Sequence, residues 1–316
     1  MMKRYGKAIF AMFKEQEGVA MILVALCMFM FIGFTAIVVD AGGLFLEKSR
    51  LQKSLDAAVL GGAQLLKVSQ AEAEETAIDI AAENGFTVTG SEVVTDESSI
   101  EIHKTVNKVL SFARVLGIND ANVGAVAKAK VLQTLVKGND IIPVAFERRV
   151  LKNGGGYGEL YDMHAKPGES KRGNYGFLAV DGRGANNLGD AIRDGVTMEV
   201  GETLYTEPGL NWGKVREAFQ DRIAEDARKP DCSDYQTADN TCSRIITVPV
   251  IETFDGLHGR DQLQVIGFAA FWIEEVVASG NDKGVTGRFI EFVRGGEFDP
   301  VEDGDYFGIS GVKLVK

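Results

Sequence analysis

The sequence predicts an α+β protein: a membrane-spanning N-terminal helix that continues into a long amphipathic helix, a small α/β unit, and a β-rich C-terminal region. Three observations carry this. An uncharged apolar run fills residues 19–39, helical spacing follows it to about residue 84, and β-branched and aromatic runs dominate the second half. The chain therefore divides into a basic segment (1–18), a spanning helix (19–39), a helix with its α/β unit (40–131) and a β-rich domain (132–316).

The apolar run holds 21 residues without a charge, Val19 to Val39. At about 1.5 Å per residue such a helix spans roughly 30 Å, the thickness of bilayer hydrocarbon. A secretory signal core is shorter, about 7–15 residues, and ends at a small-x-small site. Val39-Asp40-Ala41 is the one place where such a cut could be fitted, so a retained anchor and a removed leader both stand as readings, the anchor being favoured by length and flanks. A buried core helix would show a polar face, and none interrupts the run. Lys3, Arg4, Lys7 and Lys14 precede it, which orients the N-terminus to the cytoplasm and the bulk of the chain outside it. Lys48, Arg50 and Lys53 on the far side soften that asymmetry.

The next stretch, "DAGGLFLEKSRLQKSLDAAVLGGAQLLKVSQAEAEETAIDIAAENG", places Leu44, Leu51, Leu55, Ala58, Val59, Leu65 and Leu66 mostly on one helical face. It reads as a continuation of the anchor, with Gly42-Gly43 its weakest point and Asn84-Gly85 its stop. Within it, Asp56 precedes "AAVLGGA", whose small side chains let another helix backbone come close. Two uses of this face are open: packing against a neighbouring subunit or partner helix, or covering the chain's own globular head.

These residues resemble the N-terminal region of TadG-like (TadE/TadG) proteins of the Flp, or tight-adherence, pilus assembly system. Asp40, Leu51, Gln52, Asp56, Ala57, Ala58, Gly61, Gly62 and Ala63 carry the pattern: an apolar anchor, Asp-x-Gly, Leu-Gln, then Asp-Ala-Ala and small residues. "SFARVLGINDANVGAVAKAKV" extends the likeness to about residue 131. The resemblance implies a membrane-anchored, non-enzymatic pilus-assembly component with a pilin-like α/β unit. Its partners would be other pilus-assembly proteins or pilins, met as homo- or hetero-oligomers through the long helix at Asp40, Gln52, Asp56, Ala58, Gly61 and Gly62. Pilin relatives are cut after a Gly and carry Glu at the fifth mature position; a cut after Gly18 would place Leu23 there. Larger relatives add an Asp-x-Ser-x-Ser adhesion loop, and "DESSI" at Asp96 lacks its last Ser.

Residues 86–131 read as strand, helix, strand: "SSIEIHKTV", "NKVLSFARVLGI", "ANVGAVAKAKVL". Beyond them "RIITVPVI", "QLQVIGFAAFWIEEV" and "GRFIEFV" read as strands, the middle one apolar on both faces as a central strand would be. "NWGKVREAFQDRIAED" is a helix with Val215, Ala218, Phe219 and Ile223 on one face and Asn211 as its cap. "GNYGFLAVDGRG", "VGETLYTEPGLNWGKV" and the closing strands are also similar to a region of some TadG-like proteins. That likeness implies no activity, but it places the cysteine-bearing part in an extracytoplasmic head.

Charge and motif content narrow the function classes. The net charge is −11, with +2 in residues 1–39 and −13 beyond them; so acidic a body repels phosphate backbones and argues against nucleic-acid partners. Cys27 sits in the apolar run as a small hydrophobe. Cys232 and Cys242 do not have zinc-finger spacing, and outside the cytoplasm they read as a local disulfide. His103, His164 and His258 stand alone in sequence, "DGRGANNLG" at Asp181 reads as a turn, and no serine-hydrolase elbow occurs. Asp299, Glu302, Asp303 and Asp305 form an acidic loop whose default is solvation and whose alternative is a weak calcium site. No cofactor motif appears. Against the pilus-assembly reading stand a stand-alone surface-anchored adhesive module and an extracytoplasmic enzyme built from residues distant in sequence.

Overall fold

The computed structural model describes residues 16–153, 156–162, 174–180, 185–208, 212–277, 284–299 and 305–315. It is an α+β molecule in which one long apolar helix leads into a β-rich body.

Helix α1 (Gln16–Ala63) is a single unbroken element of 48 residues. It passes through Gly42-Gly43 without interruption, because the Leu, Ala, Glu, Lys and Gln residues around them favour the helix more than two glycines oppose it. The chain turns instead after Ala63. The Leu65 and Leu66 N–H groups bond back to Gly62 and Ala63, and Ser69 Oγ then accepts the Glu72 N–H to start α2 (Gln70–Glu83). The expected stop at Asn84-Gly85 is where α2 ends: Gly85 takes φ +88°, a left-handed value that a glycine adopts without a Cβ penalty. So the predicted single helix is two, and α2 folds back along α1.

The first sheet has the order β1 (Val93–Thr95), β2 (Ser99–Val109), β3 (Asp120–Leu132), β15 (Ile309–Val315), β13 (Phe292–Val293). Its last two members come from the end of the chain: β15 pairs antiparallel with β3, Gly311 opposite Leu132. One face packs on the helices. Leu51, Leu55, Ala58 and Val59 of α1 and Ala73, Ala77 and Ala81 of α2 are buried with Ile100, Ile102, Ala125, Ala127 and Ala129. Alanines on both surfaces let backbones approach closely, so this core is made by proximity more than by bulk. The residues expected to form a helix, 107–118, instead finish β2 and make a short 3₁₀ turn, Ala113–Leu116, at the tip of the β2–β3 hairpin. Their spacing imitates a helix, but the ladder from Ser99↔Lys130 to Val109↔Asp120 is unbroken and fixes them as strand and turn.

The second sheet is built on β14 (Glu297–Phe298), β4 (Leu135–Ile141), β10 (Ile245–Ile251), β11 (Gln262–Val277), β12 (Gly284–Ile290) and β6 (Leu160–Asp162). β5 (Phe146–Glu147), β8 (Val196–Glu199), β9 (Thr203–Pro208) and β7 (Asn174–Ala179) pair beside this path. β11 is central, as its two-sided apolar sequence predicts: β10 flanks it on one edge, β12 and β9 on the other. After the short helix α3 (Arg148–Asn153), α4 (Ala185–Asp194) and α5 (Trp212–Glu225) lie on one face, where Val215, Ala218 and Phe219 of α5 meet Val248, Phe271 and Phe289. Asn211, expected to cap α5, lies outside the described residues.

Candidate functional site

The residues singled out by sequence fall into two groups, one where α1 leaves its apolar stretch and one on the far sheet. Every large apolar side chain from Met21 to Val39 is exposed, none less than 47%. A core helix would bury these; this one is long and apolar enough to cross a membrane. Directly after it comes Asp40, buried at 9% exposure. Its carboxylate accepts backbone N–H groups from Ser111 at 2.7 Å, Phe112 at 3.0 Å and Ala113 at 2.6 Å. Three successive amides converging on one carboxylate are a nest of the kind that binds anions, here closed by the chain's own side chain.

Further along α1, Glu47 pairs with Lys108 of β2 at 2.8 Å. Gln52 Nε2 donates both to Asp56 Oδ1 at 2.8 Å and to the Val126 carbonyl at 2.9 Å. Asp40, Glu47 and Leu51 are spaced at i, i+7 and i+11, so they share one helix face. The β2–β3 hairpin thus lies along that face with its tip toward the apolar run.

The small residues of "AAVLGGA" are used within the chain. Ala58 is fully buried, and Gly62 faces α2 and β2 so closely that a Cβ there would lie 2.6 Å from the Ala73 carbonyl oxygen and 2.9 Å from Ile100 Cδ1. A Cβ at Gly61 would meet Ile80 Cδ1 at 2.2 Å. Ser54 Oγ donates to the Ala81 carbonyl across the same gap at 3.3 Å. Of the two uses left open by sequence, this structure displays the covering of the chain's own head.

On the far sheet Cys232 and Cys242 form a disulfide, with Cα atoms 5.4 Å apart. Both are buried among residues that include Trp272 and Leu263. The loop is pinned behind them by Asp226, whose carboxylate accepts the Ser243 N–H at 3.0 Å and the Arg244 N–H at 2.8 Å. Arg222, 5% exposed, donates to the carbonyls of Ile192 and Ser243 and to Asp140 Oδ1 at 2.7 Å, which ties α5 to the same segment. Asp239 lies beside the bridge, but both sulfurs are spent on each other and offer no thiolate to a metal.

The acidic loop is partly outside the described residues: Glu302 and Asp303 fall there. Asp305 forms an ion pair with Arg148, which also reaches Glu252 at 3.1 Å, and the Asp299 N–H donates to the Thr134 carbonyl at 2.9 Å. His103 sits on the open face of the first sheet beside Glu101 at 2.7 Å. His258 is exposed on a loop of the other sheet, and His164 lies outside the described residues; of "DGRGANNLG", residues 181–184 lie outside them too, while Ala185 to Gly189 open helix α4 instead of forming a turn. "DESSI" is the β1–β2 turn: Asp96 accepts from the Ser98 N–H at 2.8 Å, the Ser99 N–H at 2.6 Å and the Ser99 hydroxyl at 2.6 Å.

Sequence reasoning located Asp40 but missed what it holds. The sequence pattern reads residues 111–113 as helix, in which their amides would bond internally. The usable signal was "LGIND", whose Gly117 and Asn119-Asp120 mark a turn.

Residues 18–65 match the family model Tad, described as putative Flp pilus-assembly TadE/G-like. The matched stretch covers α1 from the apolar run through Asp40, Gln52, Asp56 and the small residues. No curated protein and no solved structure matches the chain.

Proposed function

We propose that the chain is a non-enzymatic, single-pass membrane component of a Flp-type pilus-assembly apparatus. In this reading residues 19–39 cross the bilayer, the N-terminus is cytoplasmic, and both sheets stand outside, where they contact other pilus-assembly proteins or pilins. One observation carries it: the family match falls on the stretch in which an exposed apolar helix passes, unbroken, into a helix that is core to its own head.

The physical consequence is a stiff coupling. From Asp40 to Ala63 the helix continues for about 35 Å beyond the apolar run at about 1.5 Å per residue. Its buried face holds the first sheet, and the first sheet contains the chain's last strand, β15. A force on the anchor therefore reaches both ends of the head through packed structure rather than through a flexible linker. That suits a subunit which must hold a defined position while filament components move past it. The disulfide supports an oxidising, extracytoplasmic location for the head. Leu23 in place of the pilin glutamate supports retention in the membrane rather than release into a filament.

The test is to shear piliated cells and fractionate them. The reading expects the protein to remain with membranes, to lose its head to protease added to spheroplasts, and to leave pili absent or reduced when its gene is deleted. Full-length protein in the cytosol with Cys232 and Cys242 reduced would overturn it.

A further inference from the structure

The tip of the β2–β3 hairpin carries apolar side chains that the head does not use. Val109 is 56% exposed, Phe112 44%, Val115 87% and Ile118 54%. Single exposed apolar residues are ordinary, but four within one ten-residue tip are a patch. Between Val109 and Asn119 the only charged residue is Arg114, whose long stem can lie along apolar surface while its guanidinium reaches water or a headgroup.

The position of this patch identifies what covers it. Ser111, Phe112 and Ala113 are bonded to Asp40, the first charged residue after the apolar run, so the tip is fixed at the level where α1 leaves its 21 uncharged residues. The helix itself stays apolar past that level: Phe45 is 77% and Leu46 51% exposed, and the next charge is Glu47. From Asp40 to Leu46 is about 9 Å of helix, comparable to the depth of roughly 5–10 Å to which interfacial segments sink into the headgroup and acyl boundary. Beyond it the charged collar begins, with Glu47, Lys48, Arg50 and Lys53 on the helix and Lys108 on the hairpin. Apolar helix, apolar hairpin tip and charged collar thus lie in one order along one axis.

We propose that the β2–β3 hairpin tip is a second membrane-contacting element, with Phe112, Val115 and Ile118 seated in the interface of the bilayer that α1 crosses. This rests on the membrane-anchored reading above. The Asp40 contact then has a purpose at that depth. It satisfies three hairpin amides and one carboxylate where water is scarce, and it gives the head two points of attachment, which fix its tilt about the anchor instead of leaving it free to swing.

The experiment uses the full chain reconstituted in phosphatidylcholine–phosphatidylglycerol vesicles. Cys27, the free thiol, is replaced by Ala, and a single cysteine bearing an environment-sensitive fluorophore is introduced at one of three sites. Phe31→Cys reports the bilayer interior, Val115→Cys the hairpin tip, and Val94→Cys, 61% exposed on β1, the water-facing head. All three positions are exposed, so the substitutions leave the core intact. The proposal expects blue-shifted emission at 115 and quenching by lipids with a nitroxide near the headgroup, while 31 is quenched best by a deep nitroxide and 94 by neither. Quenching at 31 with a water-like signal at 115 would overturn the hairpin contact and leave the anchor standing. No quenching at 31 would remove the anchor, and the hairpin proposal with it. A signal at 115 that is water-like in pure lipid and shielded only when other pilus-apparatus proteins are co-reconstituted would overturn the lipid contact in favour of a protein one.

Discussion

Asp40 Oδ2 accepts the backbone N–H of Ala113 at 2.6 Å, joining two residues 73 positions apart in the chain. The neighbouring amides of Ser111 and Phe112 bond the same carboxylate, so a single side chain midway along α1 fixes the tip of the β2–β3 hairpin. Hydrogen bonds to an ionised acceptor are the strong kind, and these satisfy three successive amides beside the turn's own bonds from Val115 to Phe112 and from Ile118 to Ala113.

Replacing Asp40 should therefore free the hairpin tip without unfolding the head. In Asp40→Ala the amides of residues 111–113 lose their acceptor, while the core that Leu51 and Leu55 form with Ile100 of β2 lies further along the helix. Hydrogen exchange of the full chain in nanodiscs should show rapid exchange confined to residues 110–119. Unchanged protection there would mean that the contact does not form in solution.

Gly61 and Gly62 are adjacent yet should respond oppositely to alanine. At Gly62 the new methyl would strike the Ala73 backbone oxygen, which moves only if α2 moves, so Gly62→Ala should cost about 1–3 kcal/mol of overpacking. At Gly61 it meets only the end of the Ile80 side chain, which can rotate away, and the helix gains up to about 1 kcal/mol of intrinsic propensity. Urea unfolding in detergent separates the two. Equal effects would show that α2 does not pack on α1 as described.

How far the fold could be read in advance follows from where its interactions are local. The apolar run, the stop at Asn84-Gly85, the α5 face through Val215, Ala218 and Phe219 and the two-sided strand β11 are each written in a contiguous stretch. The turn at residues 64–69 was also written locally, since Ser69-Gln70-Ala71-Glu72 is an N-cap sequence, but a continuous apolar period masked it. The hairpin was misread because Val109, Phe112 and Val115 recur at helical spacing while pointing outward instead of into a core. Periodicity reports a buried face only where the face is buried against protein. The return of β15 to the first sheet has no local signal, because it depends on a pairing between residues some 180 positions apart.

The candidate site divides in the same way. Asp40, Gln52 and Asp56 stand out in the sequence pattern, but the partners of Asp40 and Gln52, Ala113 and Val126, lie in the hairpin, while Asp56 is bonded by Gln52 on its own helix. The cysteine pair is legible because its spacing does not suit zinc and a place outside the cytoplasm favours a disulfide, whereas Asp226 and Arg222, which hold the neighbouring Ser243 and Arg244, come from α5 and its end.

Loss of the disulfide should loosen one loop and not the anchor. Closing a loop with a sequence separation of 10 restricts the unfolded chain by about 2–3 kcal/mol, so Cys232→Ser with Cys242→Ser should lower stability by about that amount. Asp226 and Arg222 would still hold Ser243 and Arg244. Membrane retention should be unchanged while thermal unfolding of the head shifts down. A shift absent under oxidising conditions would mean that the bridge is not formed in the native protein.

Acid should weaken the first sheet at a turn rather than at its core. The Ser99 hydroxyl and the Ser98 N–H, with the Ser99 N–H behind them, hold the Asp96 carboxyl down at about 2 against a partial opposing effect of burial. In the unfolded chain the same group titrates near 3.9. A folded value below the unfolded one means that the ionised turn stabilises the native state fully above about pH 4, and that this contribution drains away as pH falls toward 2. Glu101, lowered chiefly by its hydrogen bond to Lys128, acts in the same direction, so the wild-type curve alone does not isolate Asp96. The difference between wild type and Asp96→Asn does: it should be largest near neutrality, about 1 kcal/mol for an exposed turn bond, and should shrink steadily below about pH 4 to a small remainder at about pH 2. Measuring unfolding midpoints of both proteins from pH 7 to pH 2 checks it. A difference that stays constant across that range would assign the role of Asp96 to shape and not to charge.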